Sequence, residues 1–143
     1  MEVSQVNKRL KMAIETARAR SRARREQSAV AEKTYAVFLE TVATPVARQV
    51  ASALKAAGLS FTLGTPEGGL RLSAERGRDD FIEFVLDTSG ETPRAAGRVS
   101  VSRGSRTLDE VLPVKSGTAI EDLTDEDVLE FLVRALEPWL ERQ

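Results

Sequence analysis

The first long segment of the chain, residues 3 to 57, reads VSQVNKRLKMAIETARARSRARREQSAVAEKTYAVFLETVATPVARQVASALKAA. It contains no glycine, and its only proline is Pro45. Apolar residues recur along it at spacings of three, four and seven, which is the pattern of one face of an α-helix. The segment therefore predicts one very long helix, or two helices stacked end to end at Pro45.

The apolar stripe of this helix differs in strength along its length. From residue 31 onward it carries large side chains such as Tyr35 and Phe38, which predicts packing against a folded domain. Between Ala13 and Ser28, alanine and serine take their place, so this part lacks the side chains of a core-facing helix. We predict a basic helical arm over residues 1–30 and a single α+β domain over residues 31–143, whose first helix covers residues 31–57.

Pro45 leaves two alternatives for the helix. Because proline lacks a backbone N–H and restricts the preceding residue, the helix either kinks there or a new helix begins. In the second case Pro45 lies in the first turn and Thr44 is the N-cap. Gly58 then predicts the end of this helix, with the glycine in the left-handed backbone conformation of a C-cap motif.

After Gly58 the apolar residues alternate with polar ones, which predicts β-strands joined by short turns. Thr124 and Asp127 match a capping box and predict the start of a last helix. The predicted fold class is α+β: a long N-terminal helix, a four-stranded antiparallel β-meander and a C-terminal helix packed on the same sheet face. The strands are expected at about 59–63, 70–75, 80–87 and 97–103, with a turn at Gly77 between the second and third, and the helix at 125–141.

The segment 107–120 is the least regular part of the chain. Its apolar residues fit either a helical turn or an irregular edge strand that stops at Pro113. We expect this segment to cover Phe81 and Val85, two apolar residues on the outer face of the predicted sheet.

The charge of the chain is unevenly distributed, although its net value is only −1. Residues 1–57 carry eleven Lys/Arg against five Asp/Glu, and residues 58–143 carry ten against seventeen. Such asymmetry indicates an anionic partner for the basic part. Alternatively, the opposite charges of the two halves neutralise each other, either within one chain or between neighbouring chains.

The absence of cysteine and histidine limits the chemistry of the chain. It excludes disulfides, thiolate metal sites and cysteine nucleophiles, and it removes the commonest general base. The adjacent acids Asp79/Asp80, Asp109/Glu110 and Glu121/Asp122 fit a solvated surface. A minor alternative is an enzyme that uses Glu83 with a neighbouring acid. We predict a protein that is not an enzyme and has no cofactor, metal or small-molecule ligand.

No apolar segment is long enough for a membrane span, and the first residues lack the apolar core of a signal peptide. These features lead us to expect a cytoplasmic protein without a membrane partner.

Two functions fit the long basic helix. The first is a non-enzymatic assembly or adaptor protein whose helix pairs, as in a coiled coil, with itself or with another protein. The alternative is nucleic-acid binding through phosphate contacts that do not read sequence. The residues predicted for the interaction helix are Val6, Leu10, Ala13, Ala17, Arg20 and Arg24; those for nucleic-acid contact are Lys11, Arg18, Arg22, Arg24 and Arg25; and those for a contact on the outer sheet face are Phe81, Glu83 and Val85.

Overall fold

The computed structural model describes residues 1–76 and 79–142 and confirms the α+β class. The chain divides into two compact units, an N-terminal unit (Met1–Lys33) and a C-terminal unit (Thr34–Gln143). The predicted turn at Gly77 lies outside the described residues. The elements are helices α1 (Val3–Phe38), α2 (Thr44–Ala56) and α3 (Asp125–Leu140) and strands β1 (Phe61–Gly64), β2 (Leu70–Ala74), β3 (Phe81–Asp87), β4 (Arg94–Arg103) and β5 (Arg106–Pro113).

A π-helical turn, Leu39–Ala43, joins α1 directly to α2. The N–H of Thr44 donates to the carbonyl of Leu39, five residues back, just before Pro45. This wider turn lets the helical path continue past a residue that has no N–H and would otherwise clash with the preceding turn. Of the two alternatives for Pro45, the second is right in part: Pro45 lies in the first turn of α2, but the N-cap is Ala43 and not Thr44.

The C-terminal end of α2 follows the prediction. Gly58 has φ of 88°, and the N–H of Leu59 donates to the carbonyl of Leu54 at 2.8 Å. This six-to-one hydrogen bond and the left-handed glycine are the features of a Schellman C-cap.

Within the described residues the sheet has five strands, not four, in the antiparallel order β1-β2-β3-β4-β5. The strand that the four-stranded prediction lacks is β5. It pairs with β4 from Ala96 opposite Pro113 to Arg103 opposite Arg106. Of the two alternatives for this region, the edge strand that stops at Pro113 is therefore confirmed, and the helical turn is wrong.

Within the C-terminal unit, the helices pack on one face of the sheet, as Phe84 at its centre shows. Its ring lies 6.4 Å from that of Phe38 and 5.7 Å from that of Phe131, which belong to different helices. Phe131 also packs against the backbone at Gly97, where a Cβ would overlap its ring. The close approach of α3 to β4 therefore requires glycine at this position.

The first turn of α3 confirms the predicted capping box. The hydroxyl of Thr124 accepts from the N–H of Asp127, and the carboxylate of Asp127 accepts from the N–H of Thr124. No helix in the described part of the chain combines the length and the apolar composition needed to span a membrane.

Candidate functional site

The N-terminal unit is a helix whose side chains are almost all exposed. Among its large apolar residues, Val3 is 75% exposed, Leu10 57% and Ile14 49%. A helix in water gains most of its stability from packing an apolar face rather than from intrinsic propensity. The exposed stripe is therefore a surface that another molecule can cover.

The residues predicted for an interaction helix all occupy exposed positions on α1. Spacings of three, four and seven place Val6, Leu10 and Ala17 on one face. Ile14 lies on the same face, four residues after Leu10, and sequence reasoning missed it although this spacing would have revealed it. The exposed predicted residues are Val6, Leu10, Ala13, Ala17, Arg20 and Arg24.

Basic side chains border this stripe. The helical spacing places Lys11, Arg18 and Arg25 along one side of it and Arg20 along the other, whereas Arg24, seven residues after Ala17, lies within the stripe itself. All the residues predicted to contact nucleic acid are exposed, and within the described residues none forms a salt bridge. The N-terminal unit has nine Lys/Arg and four Asp/Glu, a net charge of +5. The acidic residues of the N-terminal unit are therefore too few to neutralise its positive charge.

The outer face of the sheet, opposite the helices, carries the third predicted surface. Phe81 is half-buried beneath two guanidinium groups, with Arg71 4.1 Å and Arg98 5.5 Å from the ring centre. Arg71 also donates to Glu83, which lies opposite it in the register, at 2.6 Å between Nη2 and Oε2. Arg98 forms a 2.7 Å salt bridge with Asp109, which holds the pKa of that carboxyl below its usual value.

The expectation that segment 107–120 covers Phe81 and Val85 is therefore wrong. Its first part forms β5 at the edge of the sheet, and its later residues Val114 and Ile120 join the core with the helices. The arginines of the sheet itself cover Phe81 instead, because cross-strand neighbours on an exposed face lie within reach of long side chains.

Two ionisable side chains beside this sheet have shifted pKa values. Burial, together with the charge of Glu83, raises the pKa of Tyr35, and its hydroxyl has no hydrogen-bond partner among the described residues. At the end of β3, hydrogen bonds from the hydroxyl and then the N–H of Ser89, followed by that from Arg94, lower the pKa of Asp87 to about 2.

Asp80 is buried, which corrects the expectation that Asp79 and Asp80 are both solvated. It is 2% exposed and accepts hydrogen bonds from the N–H of Ser102 at 2.8 Å and from Nε1 of Trp139 at 3.0 Å. A guanidinium nitrogen of Arg142 lies 3.9 Å from the same carboxylate. These contacts join the end of α3 to the sheet. Within residues 1–76 and 79–142, no group of three acidic side chains is placed to hold a metal ion.

A groove of about 540 Å³ lies between α2 and α3. Val46, Val50, Ala53 and Leu129 line its apolar part, and Leu129 is 45% exposed. Leu129 belongs to α3, but its side chain lies outside the buried core. Gln49, Asp125 and Glu126 supply the polar part of the lining.

Comparison of the chain with models of known protein families, with curated proteins and with solved structures gave no match.

Proposed function

We propose that this is a non-enzymatic assembly protein that acts as an adaptor, and that its N-terminal helix pairs with a second copy or with another protein. The observation that carries the proposal is the exposed apolar stripe on the N-terminal unit, which includes Val6, Leu10 and Ile14. Full burial of one such side chain contributes about 1.5–3 kcal/mol. Several such residues on two partners supply a free energy comparable to the roughly 4–15 kcal/mol entropic cost of association.

The test is the absolute mass of the full chain, measured by light scattering on a sizing column at low and high salt. We expect an assembly that persists in high salt, because apolar burial is not screened by ions. Leu10→Asp places a charge in the stripe and should lower the mass to that of the 15.6 kDa monomer.

Met12→Asp is the matched control. Met12 is 60% exposed but lies two residues from Leu10, on another face of the helix. It should keep the mass of the wild-type assembly. If Leu10→Asp also keeps that mass, the proposed function is wrong.

Binding of nucleic acid is a second candidate, favoured by the exposed arginines of the N-terminal unit that have no acidic partner among the described residues. Guanidinium groups on a helix contact phosphates without reading bases. Fluorescence anisotropy with a random-sequence DNA duplex should then show affinity that falls with salt, with a slope of about 0.9 per phosphate contact.

A variant with Arg18, Arg22, Arg24 and Arg25 replaced by glutamine should lose this binding and its salt dependence. Binding that survives these four replacements would rule out this second function. The expected cytoplasmic location remains part of the proposal under either function.

A further inference from the structure

We propose that the groove between α2 and α3 receives the N-terminal helix of a second copy of this chain. The inference rests on the proposed function and deepens it, because it names both the partner and the surface that binds the helix.

The groove lies between two helices and has an apolar lining, which are features of sites that receive amphipathic helices. Its apolar lining includes the buried Val46 and Val50 of α2 and the exposed Leu129 of α3. Helices dock in such grooves through apolar side chains spaced by three, four and seven residues. The stripe of the N-terminal unit, with Val3, Leu10 and Ile14 exposed, has this spacing.

The apolar surface continues beyond the groove along α3. Leu129, Val133 and Leu140 are 45%, 51% and 40% exposed, and spacings of four and seven place them on one face. Along one side of this face runs a series of exposed acidic side chains: Glu126, Glu130, Glu137 and Glu141.

The charges of the two surfaces are complementary. The N-terminal stripe is bordered by Lys11, Arg18 and Arg25, whereas the α3 stripe is bordered by glutamates. The C-terminal unit as a whole carries twelve Lys/Arg and eighteen Asp/Glu, against the net charge of +5 on the N-terminal unit. Two N-terminal helices that paired with each other would instead bring arginines together, and like charges disfavour that pairing.

The first test is the mass of the full-length Leu129→Lys variant across a dilution series. Loss of one buried leucine and repulsion from the basic helix should raise the dissociation constant by about tenfold to a hundredfold. Val111→Lys is the matched control, because Val111 is 46% exposed but lies on β5. Its dissociation constant should equal that of the wild type.

Glu126→Lys is a second variant that reverses an exposed charge of the groove without changing its apolar side chains. It should weaken association at low salt and have a smaller effect at high salt. Far-UV circular dichroism melting establishes that each variant is folded.

Mixing two defective variants separates the inference from the proposed function. Leu10→Asp retains an intact groove and Leu129→Lys retains an intact N-terminal helix. At a concentration below the raised dissociation constants, each alone should be monomeric and the mixture should regain a complex. If Leu10→Asp dissociates while Leu129→Lys and Glu126→Lys keep the wild-type mass, the helices pair elsewhere: the proposed function stands and this inference is overturned. If Leu10→Asp also keeps the wild-type mass, both are overturned.

Discussion

Replacing Asp80 with asparagine tests whether its buried carboxylate holds the end of α3 on the sheet. The carboxylate accepts from two donors, the N–H of Ser102 at 2.8 Å and Nε1 of Trp139 at 3.0 Å. Asparagine has nearly the same shape, but only one oxygen to accept. The NH2 group of asparagine would therefore face the second N–H. Both groups are donors, so they cannot form a hydrogen bond with each other.

The size of the effect follows from these two contacts. A hydrogen bond to a charged group contributes about 1.5–3 kcal/mol, and an unsatisfied buried donor costs about 1–3 kcal/mol. Relief of the desolvated charge offsets part of this loss. We expect Asp80→Asn to lower the free energy of unfolding by about 2–4 kcal/mol. At roughly 4 °C per kcal/mol for a unit of this size, the melting temperature should fall by about 8–16 °C.

The assay is urea unfolding followed by the fluorescence of Trp139, the only tryptophan in the sequence and a partner in the contact. Far-UV circular dichroism supplies a second probe that does not depend on the indole. Asp79→Asn is the matched control, because the neighbouring carboxylate is exposed and asparagine tolerates its φ of 55°. Its unfolding free energy should stay within about 0.5 kcal/mol of the wild type. Equal unfolding midpoints for the two variants would refute the reasoning.

Three further predictions concern single contacts in the C-terminal unit. Gly97→Ala should cost about 1–3 kcal/mol in urea unfolding, because its methyl group overlaps the ring of Phe131; an unchanged midpoint would show that the ring moves freely. Tyr35→Phe should leave the unfolding free energy unchanged or raise it, because it removes a buried hydroxyl with no partner among the described residues; a clear loss of stability would contradict this. Asp87 has a pKa lowered from 3.8 to about 2, chiefly by Ser89, so its stabilising effect is present above pH 3.8 and is lost as the pH falls toward 2. Ser89→Ala should raise the carboxyl pKa measured by NMR titration, and an unchanged titration would contradict the assignment.

The helical parts of the fold could be predicted because their signals are local. The spacing of apolar residues revealed the long N-terminal helix, and Thr124 with Asp127 fixed the start of α3. The π-helical turn before Pro45 could not be predicted, because proline is compatible with a kink, a new helix or a wider turn, and only packing decides among them.

The sequence did not decide between a helical turn and an edge strand at β5, for a different reason. Alternation of apolar and polar residues marks a strand only when one of its faces is buried. Most of β5 is exposed on both faces. Its apolar residues, such as Leu108 and Val111, therefore need not alternate with polar ones for the strand to form.

The buried contacts and the groove escaped prediction because they depend on distant parts of the chain. Asp80 meets Trp139 across 59 residues of sequence, and nothing beside Asp80 distinguishes it from the exposed Asp79. The exposure of Leu129 beside α2 depends on how the two helices pack, which no local pattern encodes. The stripe around Leu10 was predicted from spacing alone, and its binding role stays a prediction.

The exposed edge of β5 has a consequence for how the protein behaves at high concentration. Among the described residues no strand pairs with its outer side, so its free N–H and C=O groups could template cross-β growth. Asp109 and Glu110 place charge on this edge, and Pro113 ends it. Charge and proline at a sheet edge act as gatekeepers against aggregation. Neutralising Asp109 and Glu110 would therefore reduce expression yield and storage lifetime well before it changed the thermal stability of the native fold.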